Sequence, residues 1–85
     1  MTPRRIYRVI ELKPTRSGGS QVIIEIGRNS GVSKSWKASL VDKDENRIPG
    51  GELRIEFVDN VSTRATSKLA IEKIPRDVQA EMLSP

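Results

Sequence analysis

From Glu52 to Phe57, apolar and charged side chains alternate at every position. Leu53, Ile55 and Phe57 share one side of this segment, and the charged residues share the other. A period of two is the repeat of an extended strand with one buried face, and a helix repeats every 3.6 residues instead. The preceding residues, 42–51, are polar and end in a Gly pair, which is typical of a hairpin turn. This part of the chain is therefore predicted to be β-structure.

Other runs along the chain have the composition or the alternation of strands, and residues that favour turns separate them. In one of these runs Trp36 is in phase with Ala38 and Leu40, which predicts that the indole packs in the core. Together with the segment above, the sequence predicts about five strands. The further runs are residues 5–13, 21–27, 35–41 and 63–71. In the last run the residues predicted to face inward are Thr63, Ala65, Ser67, Leu69 and Ile71.

The C-terminal segment has a different spacing. Ile74, Val78 and Met82 fall at i, i+4 and i+8, and Pro75 is compatible with the first turn of a helix. This pattern predicts a short amphipathic helix over residues 75–83.

Length and strand count together define the predicted fold class. The chain has 85 residues, of which 35% are apolar, too few for two independent cores. Closing the sheet would hide the edges that a flat sheet of this size exposes. We therefore expect a mainly β, single domain over residues 1–85: a small five-stranded antiparallel barrel or sandwich with one short C-terminal helix.

Missing residue types narrow the function. The chain has no Cys and no His, so disulfides, Cys/His zinc sites, thiolate nucleophiles and a histidine base are excluded. No stretch approaches the 18 apolar residues of a membrane span. We expect a cytoplasmic protein that is not an enzyme and that has no cofactor, metal or small-molecule substrate. An enzyme that uses carboxylates or a Ser/Lys pair is the third hypothesis.

Two short motifs imitate ligand-binding loops. Asp42, Asp44 and Asn46 have the opening spacing of a calcium loop, but Arg47 stands where that loop needs Gly and Leu53 where it needs Glu. The segment 27–31 is rich in Gly but lacks the signature of a dinucleotide or phosphate loop. Both segments are predicted to be turns between strands.

The net charge is concentrated at the N-terminus. Residues 1–20 carry the whole excess of +4, whereas the acidic and basic side chains of residues 21–85 balance. A basic arm or first strand could contact nucleic-acid phosphates, with Tyr7 or Trp36 stacking on bases, or it could simply be solvated. The candidate anion contacts are Arg4, Arg5, Arg8, Lys13, Arg16 and Arg28.

The small size of the chain favours association, because a domain this short buries a modest share of its surface. A protein partner or a second copy is expected to contact an uncovered edge strand or the apolar side of the C-terminal helix, namely Val78, Met82 and Leu83. The leading hypothesis is thus a non-catalytic protein-interaction or self-assembly module. A nucleic-acid-binding barrel is the alternative.

The layout of residues 22–71 resembles the small β-barrel domains of bacterial cell-envelope assembly proteins such as the rod-shape-determining protein C. The shared features are an apolar strand that ends at Gly27, the pair Gly31-Val32, a further strand and turn, a strand that begins at Gly51, and a strand rich in Ser and Thr. This resemblance implies a non-catalytic barrel used for self-assembly or scaffolding.

Overall fold

The computed structural model describes residues 5–85 and consists of a closed, fully antiparallel barrel with the strand order β1-β2-β5-β4-β3-β6. Two short 3-10 helices, Arg28–Ser30 and Ile71–Lys73, lie in the connections. The prediction of a small antiparallel β barrel is confirmed, with six strands instead of five. The strands are β1 (Arg5–Pro14), β2 (Ser20–Ile24), β3 (Lys37–Val41), β4 (Arg47–Val58), β5 (Thr63–Ser67) and β6 (Gln79–Leu83).

Two long strands hold the two halves of the barrel together. The first half of β1 pairs with β6 and the second half pairs with β2. Likewise β4 pairs with β3 up to Leu53 and with β5 from Arg54 onward. A β-bulge lies between Val9 and Glu11 in the pairing of β1 with β2, and another lies between Ile55 and Phe57 in the pairing of β4 with β5. Because bulges bend and twist a strand, they allow β1 and β4 to turn the corners of the barrel.

Side chains from one face of each short strand fill the barrel interior and form the core. Leu40 and Ala80 are fully buried, and Trp36 packs against the core from one side, which confirms the inward phase predicted for its strand. Thr63, Ala65 and Ser67 of β5 also point inward as predicted, although this strand ends before residue 71. The buried cluster consists of Val22, Ile24, Ile26, Val32, Ala38, Leu40, Val58, Ala65, Ile74, Val78, Ala80 and Met82.

The predicted C-terminal helix over residues 75–83 is wrong. Residues 79–83 form β6, which pairs with both β1 and β3 and closes the barrel. The spacing of four that suggested a helix is an even number, so it also places Val78 and Met82 on one face of an extended segment. Val78 and Met82 are buried in the core, so they are not the partner contacts that the predicted helix would have exposed. Leu83, the third predicted contact, is half-buried.

A buried hydroxyl group of β5 binds the segment that follows β2. Thr63 is fully buried, and its Oγ1 donates a hydrogen bond of 2.7 Å to the carbonyl of Ile26. We expect Thr63→Val to lower the free energy of unfolding by about 1–3 kcal/mol, because the isosteric side chain leaves a buried carbonyl without a donor. Urea denaturation measures this loss. Thr66→Val, at a half-buried position on the outer side of the same strand, is the control and should lose less.

Candidate interaction surface

A row of side chains crosses the outer face of four neighbouring strands, β1, β2, β5 and β4. The strand register pairs Glu11 with Ile23, Ile23 with Arg64, and Arg64 with Phe57. The neighbours of these residues along each strand pack in or against the core, so the side chains of the row point away from the barrel interior. We call the following six residues the outer row: Ile10, Glu11, Ile23, Glu56, Phe57 and Arg64.

The two bulges widen the outer row at both ends. At each bulge two residues of the long strand lie opposite one residue of its neighbour, so Ile10 joins Glu11 on β1 and Glu56 joins Phe57 on β4. Ile10 is 52% exposed and Phe57 is 45% exposed. The bulges therefore hold large apolar side chains in solvent at both ends of the row.

Arg64 lies at the centre of the outer row with its guanidinium over the ring of Phe57, 5.6 Å from the ring centroid. This distance is within the range of a cation–π contact, which limits the motion of the side chain and leaves the edge donors of the guanidinium accessible. Among residues 5–85, Arg64 forms no ion pair. The row thus presents an oriented cation with unused hydrogen-bond donors.

The carboxylates of the outer row are already engaged by their own neighbours. Glu11 Oε1 lies 2.6 Å from Lys13 Nζ. Glu56 Oε1 accepts a hydrogen bond of 3.1 Å from Thr66 Oγ1 and lies 3.9 Å from Arg54 Nε. Consequently neither acid neutralises Arg64, and among residues 5–85 the cation of the outer row has no ion-pair partner.

An open groove of about 1020 Å³ lies beside the outer row, between the β1–β2 turn and β4. Its hydroxyl groups bond within the chain: Thr15 Oγ1 contacts Ser17 Oγ at 3.0 Å, and Ser67 Oγ donates to the carbonyl of Gly50 at 3.1 Å. These groups stabilise turns and are already occupied. The lining residues are Thr15, Ser17, Gly19, Gly50, Glu52, Leu53, Arg54, Glu56, Thr66, Ser67 and Lys68.

Three of the six predicted anion contacts lie on β1, and they do not form one cluster. Arg4 lies outside the described residues. Arg5 and Arg8 are exposed on the half of β1 that pairs with β6, whereas Lys13 is on the other half, at most about 26 Å from Arg5 along the strand. Arg16 is exposed in the following turn. The structure spreads these cations along one strand and its turn.

Arg28, the last predicted anion contact, is held by the barrel itself. Its Nη2 donates a hydrogen bond of 3.0 Å to the carbonyl of Val58, and its backbone N–H donates to the carbonyl of Asp59 at 2.7 Å. The segment 27–31 is therefore a turn docked against the end of β4, as the sequence suggested.

A third ion pair lies on the opposite side of the barrel from the outer row. Glu81 of β6 is 1% exposed, and its Oε1 accepts from Arg47 Nε at 2.9 Å and lies 2.8 Å from Arg47 Nη2. This charge-assisted contact joins the start of β4 to β6. Replacing Arg47 would take an ion-pair partner from a buried carboxylate, so we interpret this contact as structural.

Sequence reasoning placed Phe57 on the wrong face of its strand. The alternation of Leu53, Ile55 and Phe57 predicted that all three face inward, but the bulge at Glu56 reverses the phase and Val58 takes the buried position. Two adjacent apolar residues, Phe57 and Val58, were the available signal, because they cannot both face the core of a regular strand.

Other kinds of site find little support in the described part of the chain. Within residues 5–85 no group of three or more acidic side chains comes together in a way that could hold a metal ion. The Asp42 carboxylate accepts hydrogen bonds of 2.9 and 3.0 Å from the backbone N–H groups of Asp44 and Asn46. It thereby initiates the β3–β4 turn. No helix in these residues is long and apolar enough to cross a bilayer.

Comparison with known proteins gives no relative. No protein-family model, no curated protein and no solved structure matches this chain. The resemblance to barrels of envelope assembly proteins stays a prediction, and the functional argument rests on the geometry of the outer row.

Proposed function

We propose that this protein is a non-catalytic module that binds another protein through the outer row. The observation that carries the proposal is the arrangement at the centre of the row, where an Arg64 guanidinium without an ion-pair partner among residues 5–85 lies over an exposed Phe57 ring. Arginine and large aromatic residues dominate the binding energy of protein interfaces. Here they occur together on the face of a rigid barrel.

The surroundings of Arg64 favour a protein partner. Ile23 and Phe57 flank it on the two neighbouring strands, and Ile10 extends the apolar surface to β1. Engaged acids, Glu11 and Glu56, form a polar rim. An apolar centre with an arginine and a polar border is the usual composition of a protein interface.

A different protein fits this surface better than a second copy of the chain does. In a two-fold dimer centred on the row, Arg64 of one copy would meet either Arg64 or Ile23 of the other. Neither residue offers a carboxylate to the guanidinium, and two facing arginines repel. Self-assembly through this face is therefore an outcome of the test and not the proposal.

Nucleic acid is the second candidate, and the exposed Arg8 and Arg16 favour it because neither forms an ion pair within residues 5–85. Tyr7 and Trp36 pack against the core. Among residues 5–85, Phe57 is therefore the aromatic residue exposed for stacking on a base. Fluorescence anisotropy of labelled DNA and RNA across a salt series tests this candidate, since phosphate contacts give a linear log–log dependence.

Site-specific photo-crosslinking tests the leading proposal. A benzophenone amino acid at position 10 is expected to capture a protein in an extract of the source cells, whereas the same probe at exposed Lys43, in the β3–β4 turn, is expected not to capture it. The captured protein is then purified and titrated against the wild type and Phe57→Ala. We expect the substitution to raise the Kd about 30-fold, which corresponds to the loss of one interface hot spot.

Arg76→Ala is the matched control for an Arg64→Ala variant in the same titration, because Arg76 is an exposed arginine in the loop before β6. Both variants change the net charge equally, but only Arg64→Ala should weaken binding strongly. Equal crosslinking at positions 10 and 43, or a captured protein whose Kd is the same for all variants, contradicts docking on the outer row.

A further inference from the structure

We infer that the outer row recognises an extended peptide segment with the pattern apolar, any residue, acidic, any residue, apolar, in which the acidic carboxylate binds Arg64. This inference rests on the proposed function and names the chemistry of the partner. It follows from the charge balance of the row, the orientation of the guanidinium and the spacing of the apolar side chains.

The charges of the outer row leave one cation, Arg64, for an anion of the partner to bind. Lys13 neutralises Glu11, and Thr66 and Arg54 contact Glu56, while within residues 5–85 the one recorded contact of the Arg64 guanidinium is with the Phe57 ring. A guanidinium that becomes buried under a partner without an anion would lose its hydration and gain nothing in return. A partner that covers this row must therefore bring an acceptor for Arg64.

The planar geometry of the Arg64 side chain favours a carboxylate. A guanidinium holds its N–H donors in one plane, directed outward along its edges, and Cζ of this one lies 5.6 Å from the centroid of the Phe57 ring. A carboxylate accepts two parallel hydrogen bonds from such an edge, and this bidentate geometry is stronger and more directional than contact with a point charge. The Phe57 ring reduces the entropy that the arginine side chain loses on binding.

The apolar positions match the side-chain spacing of an extended segment that crosses the strands. Neighbouring strands lie about 4.8 Å apart, so the row extends about 14 Å from β1 to β4. Side chains on one face of an extended peptide repeat about every 6.7 Å, so three of them cover about 13 Å. The first would lie over Ile10 and Ile23, the second at Arg64, and the third against Phe57.

A polyanion fits this row less well than a single carboxylate does. Glu11 lies at one end of the row and Glu56 at the other, with 46% and 42% of their side chains exposed. Lys13 and Arg54 balance the charges of these acids, so the apolar side chains between them decide the fit. A nucleic-acid strand that placed one phosphate at Arg64 would bring its neighbouring phosphates over Ile23 and Phe57, whose side chains offer no hydrogen-bond donor. A peptide that has apolar side chains on both sides of one acid places each group against a matching one.

Nuclear magnetic resonance of the labelled full chain tests the inference with defined probes. The first probe is a blocked peptide of sequence Gly-Leu-Ser-Glu-Ser-Leu-Gly, and the second has Gln in place of Glu. We expect the Glu peptide to shift the Arg64 Nε–H resonance and the backbone amides of the outer row saturably. The Gln peptide should bind at least about 10-fold more weakly. A short oligothymidylate is the third probe.

Three variants make the result specific to Arg64. Arg64→Ala should remove the difference between the two peptides, Arg64→Lys should retain part of it because the charge remains without the planar donors, and Arg76→Ala should behave as the wild type. Both positions, 64 and 76, are exposed, so the fold is expected to survive, and the amide spectrum verifies this directly.

The outcomes separate this inference from the proposed function. Equal binding of both peptides at the row overturns carboxylate recognition and leaves protein docking intact. If neither peptide shifts the row, recognition of an extended segment is wrong, and the crosslinking experiment alone decides whether a folded protein docks there. Tighter binding of the oligothymidylate at the row overturns both in favour of nucleic acid.

Discussion

Gly27→Ala is expected to destabilise the barrel by at least about 3 kcal/mol, because the new methyl group would collide with backbone atoms. A Cβ at this position would lie 2.3 Å from the carbonyl oxygen of Asp59 and 2.6 Å from the amide nitrogen of Ser62. Relief requires the turn after β4 to move, which breaks the hydrogen bonds from Arg28 N to Asp59 O and from Asn29 N to Asn60 O. Thermal and urea denaturation measure the loss.

Gly18→Ala is the matched control for this substitution. Gly18 has a φ of +91° in the β1–β2 turn, and a Cβ there would meet nothing within 4 Å. Its expected cost is about 1 kcal/mol, the strain of a non-glycine residue in the left-handed region. Equal destabilisation by the two substitutions would contradict the close packing of Gly27 against the β4–β5 turn.

The second large effect is expected for Ala80→Asp, which distinguishes the observed β6 from the helix that the sequence suggested. Ala80 is fully buried between β1 and β3, whereas a helix with Val78 and Met82 on its apolar side would expose it. A buried carboxyl must stay protonated, and at pH 7 this costs about 4 kcal/mol relative to a normal pKa of about 3.9. This cost is about a third or more of the total stability of a chain of this length, about 4–13 kcal/mol, so we expect the variant to unfold at a much lower urea concentration than the wild type.

The pH dependence of this variant has a defined sign. Burial raises the pKa of the introduced carboxyl in the folded state, so its penalty is largest above that raised pKa and shrinks as the pH falls towards the unfolded value. Circular dichroism from pH 7 to pH 4 should therefore show recovery of folded protein relative to wild type. Ser84→Asp, at an exposed position just after β6, is the control, and wild-type stability of Ala80→Asp would contradict the barrel closure.

The outer row has a practical consequence for the study of this protein. Ile10, Phe57 and Arg64 of this row are exposed, so substitutions at these positions should change binding without unfolding the chain, in contrast to the two substitutions above. Binding and folding defects can thus be distinguished with single variants of the same small barrel.

Regular alternation within the short strands allowed much of the fold to be predicted. Trp36, Ala38 and Leu40 were assigned to the core from a period of two, and Thr63 and Ala65 likewise. The main β class and the antiparallel barrel followed from several such strands joined by short turns. Local side-chain periodicity suffices here because each short strand has one buried face.

Composition and local period are properties of neighbouring residues, and they sufficed to predict a small antiparallel β domain, either a barrel or a sandwich, the place of most turns, and few catalytic options. That the sheet closes into a barrel, and that residues 79–83 close it as a strand, depends on the tertiary structure, because an even spacing of apolar residues suits both a helix and a strand. The tertiary structure also decided that Phe57 faces outward beside Arg64. That arrangement depends on a bulge, which arises where β4 leaves one neighbour and joins another, and no local pattern encodes the position of a partner strand.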